Sequence, residues 1–579
     1  MSTNTIIFRY LCFIATIQLS VYASAQENEQ VAKYNEGVVS LPYLTFGESV
    51  YKGVDLTYLG DLKFDVLDFD SVSTEVRETV ANLVGNKLTI KILAVGDDTY
   101  INLDLQYLGG VRLELRDFTG PLLPLSFSET TFSQLEPEEW ETTKRVYNTN
   151  TNSWTNSKSN LMTSDFPTMD VDRDGYKDII VLGVSWDNGW VDKKVRIRWL
   201  RNTGNGELVP GDDTTFPQTS SRKHFWHSKV ADFNGDGFDD LLVIASGYDV
   251  APFDGESNLL LLSQHDGTFL DASLNNPNFD YFGMTHALVV GDVNNDGYLD
   301  IITSDIAGKD IVDGRTRVLL NDGLGNFQRN DSFVSTSDGE NPYWTNATLN
   351  LELFDINGDG FDDLVMGSSY IFEQDRIFLN DKSGGFDYRK YITLPKFYEK
   401  SGRLLYDTLA IVVMDLNFDG LDDLVFSKSK DYKGRAIQFL INNGDESFTD
   451  VTQDYSPWAN EPDFEKSEKP PYWVEAVDMN GDGYKDLRFK YDLHEAPAFD
   501  QRYIWVRDGL DGFIEWDQNN LTIDNAWFWV LDTDADGDLD LVARRPVSID
   551  NVNGFEIAEK FEWKILENKI HNWFAMAIT

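Results

Sequence analysis

The stretch Asp170-Val171-Asp172-Arg173-Asp174-Gly175-Tyr176-Lys177-Asp178, followed at once by Ile179-Ile180-Val181-Leu182, decides how the chain is read. The nine-residue pattern begins again at Asp232, Asp292, Asp355, Asp415, Asp478 and Asp532, so seven copies follow one another at steps of 62, 60, 63, 60, 63 and 54 residues. A period that regular makes each copy one unit of an array.

The same strand signals surround each copy. In the second unit Lys229-Val230-Ala231 precede the acidic loop and Leu241-Leu242-Val243-Ile244 follow it; Leu259 to Leu262 form a further apolar run, and a turn at Asp266-Gly267 leads into Thr268-Phe269-Leu270. Four short antiparallel strands per unit is the pattern of a propeller blade. A second landmark keeps the same phase: Val318 to Gly323 with Phe327, Ile377 to Asn380 with Phe386, Phe439 to Gly444 with Phe448, and Ile504 to Gly509 with Phe513. The expected fold is all-β, a seven-bladed β-propeller of four-stranded antiparallel blades over residues 160–579. Radial closure gives such a chain a way to protect its sheet edges, whereas seven separate small sheets would each be marginal.

Within the loop, positions one, five and nine are Asp in all seven copies, position three is Asp or Asn, and position six is Gly. Carboxylates on alternate residues of a tight turn converge and repel one another unless a cation sits among them. Calcium takes six to eight oxygens, which side chains at positions one, three, five and nine, a backbone carbonyl at position seven and a water can supply. The expected ligands are Asp170, Asp172, Asp174, Tyr176 and Asp178 in the first loop, and Asp232, Asn234, Asp236, Phe238 and Asp240 in the second. They continue as Asp292, Asn294, Asp296, Tyr298 and Asp300, then Asp355, Asn357, Asp359, Phe361 and Asp363, then Asp415, Asn417, Asp419, Leu421 and Asp423. The last two sets are Asp478, Asn480, Asp482, Tyr484 and Asp486, and Asp532, Asp534, Asp536, Asp538 and Asp540, giving up to seven Ca2+ sites. The mostly apolar side chain at position seven is expected to tuck against its blade; Asp538 makes the seventh loop the exception. Magnesium prefers few carboxylates and several waters. An EF-hand needs Glu at position twelve, where this chain carries Val181, Val243, Thr303, Met366, Phe426, Phe489 and Ala543.

These loops and strands resemble the FG-GAP or VCBS-type repeats of integrin α-chain headpieces and of many bacterial secreted proteins. The resemblance covers residues 160–579 and implies a seven-bladed propeller with calcium between the first and second strands of each blade. It departs from the family in its fourth strands, which keep Gly325-Asn326-Phe327 and Gly384-Gly385-Phe386 but not a full Phe-Gly-Gly-Ala-Pro element. The resemblance implies fold and calcium rather than one activity, since similar propellers serve as adhesion modules, lectins and companions of polysaccharide-degrading enzymes.

Acidic residues outnumber basic ones 97 to 49, a formal charge of -48. Such a field repels phosphate backbones and anionic lipid, so nucleic acid and membrane surfaces are poor partners. Residues 1–25 read as a signal peptide: Arg9, an apolar stretch from Tyr10 to Val21, then Ala23-Ser24-Ala25. The single cysteine, Cys12, lies inside it, so the mature, exported chain has no disulfide and bound metal is the expected staple. Residues 26–130 read as a small duplicated β domain, with Tyr51 to Gly60 echoed by Tyr100 to Gly109 and a short capped helix between the copies from Ser73 to Val84. Residues 131–159, with Glu136-Pro137-Glu138-Glu139 and an Asn, Thr and Ser run, read as a linker.

Calcium marks one face of the ring and leaves the other free. Trp226, Trp344, Trp473 and Trp527 precede first strands, and Trp186 and Trp190 fall in a second-to-third loop, so all six belong to the opposite face. Flat rings with a polar rim suit sugar stacking or a protein hot spot, though any one ring also suits a wedge between blades. His224 and His227 form a close pair without a third ligand or nucleophile nearby, which is too little for zinc or catalysis. The expected function is an exported calcium-binding propeller acting as a binding or adhesion module for a glycan or protein on that face, more readily than an enzyme. A polysaccharide lyase or hydrolase, or a scaffold in a cell-surface assembly, is the alternative.

Overall fold

The second strand of blade 2 runs Leu241-Leu242-Val243-Ile244 with every residue buried, and such a strand must be covered on both faces. The structure, a computed structural model, shows how. It describes strands from Ala32 onward, and side chains at residues 165, 167–183, 194–247, 253–274, 276–306, 316–330, 348–368, 374–387, 390–431, 436–458, 473–479, 484–489, 504–507, 512–516, 529–535, 539–544 and 562–566.

Seven four-stranded antiparallel sheets follow in chain order and form a seven-bladed propeller. Blade 2 is typical: Phe225–Ala231, Asp240–Ala245, Leu259–Ser263 and Phe269–Asp271, with Leu241 opposite Leu261. Along its second strand Leu241 and Val243 join a core shared with blade 1, while Leu242 and Ile244 join one shared with blade 3. Alternating side chains of one strand thus glue two interfaces. Each such fully buried aliphatic chain contributes on the order of 2 kcal/mol. Blades 3 and 4, then 4 and 5, repeat the arrangement around Phe378 and Phe426.

The first strands are innermost, since those of neighbouring blades lie side by side from blade 1 to blade 6. Blade 1 has a first strand in two pieces, Met162–Asp165 and Thr168–Met169, both paired with Asp178–Val184. Blade 7 is composite. Its strands Trp527–Leu531, Asp540–Val552 and Phe555–Asn568 are completed by Phe127–Glu129, with Phe127 opposite Asn568. A strand from before blade 1 therefore closes blade 7, and Trp529, Leu531, Val542 and Trp563 share the core of blade 1.

Residues 131–159, expected as a linker, carry the hairpin Thr142–Asn148 with Ser153–Ser159. N-terminal to this, Ala32–Thr119 contributes nine strands to one sheet. Val38–Phe46 pairs with Ser49–Gly60 and Lys87–Val95 with Asp98–Gly109, and Lys63 opposite Glu114 joins the two copies. The expected helix from Ser73 to Val84 is not formed as such: Ala81–Val84 is a strand paired with Lys87–Val95. Val84 pairs with Lys87, so only Gly85-Asn86 separates the two strands, and that two-residue Gly-Asn sequence signal for a hairpin outweighs the helical one. Residues 74–80 lie outside the described ones.

Candidate metal centres and the opposite face

Loops 1 to 5 share one conformation, written in hydrogen bonds from backbone to carboxylate. The position-one Asp accepts from the backbone N–H of the position-six glycine: Gly175 to Asp170 at 3.0 Å, Gly237 to Asp232 at 2.8 Å, Gly297 to Asp292 at 2.8 Å, Gly360 to Asp355 at 2.7 Å and Gly420 to Asp415 at 2.9 Å. The position-five Asp accepts from the residue two ahead, as Tyr298 N to Asp296 at 3.0 Å shows. Position-six glycines take φ of 86–96°, where a Cβ is disfavoured. Position four is also left-handed, even where it is Arg173 (φ 63°) or Phe418 (φ 59°), a constraint the sequence does not announce.

Position nine differs from the others. Asp178, Asp240, Asp300, Asp363, Asp423, Asp486 and Asp540 are all buried. In blades 1 to 6 one oxygen accepts from the backbone N–H of position two and the other from the third strand, as Val171 N and Asn202 N do for Asp178, both at 2.8 Å. The same pair recurs for Asp300 with Val293 N (3.1 Å) and Asn321 N (2.8 Å), and for Asp486 with Met479 N and Arg507 N (both 2.8 Å). This residue fastens loop to blade before any ligand is considered. Burial, opposed by those N–H donors and reinforced by neighbouring carboxylates, pushes Asp178, Asp240 and Asp300 up to about 7 and Asp363 and Asp423 up to about 6.

The carboxylates fit a cation. Ligand oxygens of Asp170, Asp172 and Asp174 lie within 4.8 Å of one another, as do those of Asp532, Asp534 and Asp540. In loop 5 the Oδ1 of Asp415 is out of solvent and has no hydrogen-bond partner, a lone pair left for an ion. Position-seven rings rest on the third-to-fourth turn of their own blade: a Cβ on Gly204 would fall 2.4 Å from Tyr176, and one on Gly323 2.3 Å from Tyr298. Asn480, Asp482, Asp536 and Asp538 lie outside the described residues.

A set of residues read from sequence only as turn signals ties the loops together. Asn321 of blade 3 donates through its side chain to Phe233 O, position two of loop 2, at 2.8 Å; Asn380 donates to Val293 O at 2.7 Å and Asn442 to Ile356 O at 3.3 Å. Arg507 reaches Leu416 O in the same place. Blade 2 has Ser263 instead of Asn, and there the contact runs the other way, from Arg173 of loop 1 to Ser263 Oγ (2.9 Å) and Gln264 O (2.6 Å). The recurrence of Asn at 202, 321, 380 and 442 was the available signal.

On the opposite face, Trp226 and Trp473 are half-buried on first strands, five and four residues before the loop ends Ala231 and Val477. That is roughly 13–17 Å from the loops at about 3.3 Å per residue. Trp473 Nε1 donates to His227 Nδ1 at 3.1 Å, joining blade 6 to blade 2 across the ring, while Trp226 Nε1 donates to His286 O at 3.1 Å. Rings of His224, His227 and His286 surround Trp226 at 4.7–5.7 Å between centroids. Burial pushes His286 down to about 4, so it is neutral at physiological pH. Trp186, Trp190 and Trp344 lie outside the described residues, as does the side chain of Trp527.

The model of the FG-GAP-like repeat family matches residues 170–243, 232–303, 355–426 and 415–487, each match running from one acidic loop through the next. Residues 170–303 and 355–487 are FG-GAP-like repeats. These matches take in loops 1 to 6, and the integrin-like propeller arrangement follows from the blades already described. No curated protein matches the chain in sequence. Among solved structures, the chain is similar to an Agrocybe aegerita lectin that recognises non-reducing terminal N-acetylglucosamine, with 18% identity, a TM-score of 0.42, and 69% of this chain and 94% of that one covered. It is also similar to rhamnogalacturonan lyase YesW, with 12% identity, a TM-score of 0.34, and 94% and 91% covered.

Proposed function

We propose that this FG-GAP-like propeller is an exported, calcium-stabilised binding module that engages a glycan or protein through the face away from its acidic loops. The observation that carries the reading is the junction of Trp473, His227 and Trp226, which gathers half-buried aromatic rings from blades 2 and 6 at one end of the ring. Rings held by internal hydrogen bonds are rigid, and rigid aromatic surface binds with little entropic cost. The loop face is engaged otherwise, since its carboxylates hold the blades and converge on positions suited to a cation.

Calcium would be held by the side chains at positions one, three and five, the position-seven carbonyl and the carboxylate of position nine. It would supply charge neutralisation that the loops lack by themselves. Export is supported by the leader-like residues 1–25 and by the need for a staple in a chain whose one cysteine lies there. No described helix is long and apolar enough to cross a membrane.

The test is a glycan array and a pull-down from extracellular material, both in calcium-containing buffer, with wild type and the Trp473→Ala and Trp226→Ala variants. Binding by wild type that both variants weaken supports the reading. Binding unaffected by either variant, or none at all with folded wild type, overturns it.

A further inference from the structure

We infer that Arg201 is a tethered counter-cation of the first acidic loop, and that it makes this loop the last to take up calcium; the inference rests on the calcium reading above. Two loops carry Asp rather than Asn at position three, Asp172 and Asp534. The same two blades depart from the others on the third strand. Register places Arg201 across from position nine in blade 1, where blades 2 to 6 have Leu262, Leu320, Leu379, Ile441 and Val506, and blade 7 has Glu567.

The structure shows what the arginine does. Its Nε donates to Asp172 Oδ2, and its Nη2 to Asp174 Oδ2 at 2.7 Å. In loops 2, 3 and 5 the corresponding Oδ2 of position five is served by a neutral amide at position three: Asn234 to Asp236 at 3.1 Å, Asn294 to Asp296 at 2.9 Å and Asn417 to Asp419 at 2.9 Å. Blade 1 has therefore exchanged an amide donor for a carboxylate and added a guanidinium, which leaves the net charge of the loop unchanged. Blade 7 has made the first exchange and carries an acidic residue, Glu567, at the register position of Arg201. Loops with the same three aspartates thus stand at opposite ends of a scale of demand for a cation. Lys382, which reaches Asp359 Oδ2 at 3.1 Å from an exposed turn, gives loop 4 a looser version of the blade 1 arrangement.

An ion entering loop 1 must displace two charge-assisted hydrogen bonds that are absent from loops 2, 3 and 5. Without calcium, the same bonds keep loop 1 closed on its blade.

The experiment is a calcium titration of the full chain by calorimetry, with melting curves in chelator, for wild type, Arg201→Leu and Arg201→Lys. Leucine is native to this position in blades 2, 3 and 4, so the variant suits the fold. Arg201→Leu is expected to shift one binding step to about tenfold lower calcium. It should melt below wild type in chelator and rejoin it in calcium, while Arg201→Lys should stay near wild type in both. An Arg201→Leu protein with the wild-type titration and the wild-type chelated melt overturns the inference. If wild type itself takes up no calcium, the underlying metal reading falls and this inference with it.

Discussion

The side-chain amide of Asn202 in blade 1 donates to the backbone carbonyl of Asp532 in blade 7 at 2.9 Å, and Gly206 N donates to Thr533 O beside it at 2.8 Å. The staple that joins other neighbouring blades therefore also joins the ends of the ring, from one acidic loop to the next third strand. Asn202 is fully buried, and its own backbone N–H is held by Asp178. Asn202→Ala should cost about 1–2 kcal/mol, a lost buried hydrogen bond plus the small void left behind. Thermal melts of this variant beside Asn380→Ala, which loses the analogous contact between blades 3 and 4, check whether closure is worth more than an internal joint. Equal losses are expected.

Positions five and nine of one loop should separate metal binding from fastening. Asp300→Ala leaves the N–H groups of Val293 and Asn321 without acceptors, each costing about 1–3 kcal/mol, so the melt falls with or without calcium. Asp296→Ala removes an exposed acceptor and should shift the calcium-free melt by less than about 0.5 kcal/mol. Its effect appears in the calcium stoichiometry, which should fall by one. Urea or thermal unfolding with and without chelator reads both.

The pH dependence of the calcium-free protein has a definite sign. Five position-nine carboxyls are raised from 3.8 to about 6–7 in the folded chain by burial. Between about pH 4 and 7 the native state then holds protons that the unfolded chain has released, so stability falls as pH rises through that window. Calcium competes with those protons, so its binding should strengthen with pH over the same range. Melts in chelator at pH 5 and pH 7.5 should favour pH 5, and calcium should remove or reverse the difference.

A buried ion pair joins blades 4 and 5. Lys428 donates to Asp375 at 2.6 Å and to Thr408 Oγ1 at 2.7 Å, and both charged side chains are 2% exposed. Burial alone would raise Asp375, but Lys428 and the Thr408 hydroxyl outweigh it and hold the carboxyl below its usual range. Lys428→Met should cost about 3–5 kcal/mol by leaving that charge unpaired, whereas Lys428→Met with Asp375→Leu should recover most of the loss. Denaturant melts of the single and double variants measure this.

Much of the fold could be read from the repeat, because one period fixes the blade and its phase. Both landmarks, the loop before Ile179 or Leu241 and the turn after Asn321 or Asn442, depend only on local patterning. What stayed hidden is non-local or disguised by composition. Phe127–Glu129 is three residues long, too short for any period, and its place in blade 7 is set by a partner more than 400 residues away, since Phe127 pairs with Asn568. The hairpin of Thr142 and Ser159 looks like a polar linker because its Thr, Asn and Ser residues report hydration before strand pairing. The acidic loops were legible as a ligand spacing, but the fastening role of position nine was not, since an Asp reads alike whether it faces an ion or two backbone N–H groups. On the opposite face the tryptophans could be placed, but the partnership of Trp473 with His227 required the ring to close first.

The most direct test of the central claim, that seven acidic loops hold calcium and thereby fasten the blades, is a thermal melt of the full chain in calcium and in chelator, paired with elemental analysis of the dialysed protein. The account predicts several calcium ions per chain, up to seven, and a melting temperature that rises with calcium concentration as binding to the native state requires. An unchanged melt after chelation, with no calcium found in the protein, would contradict it.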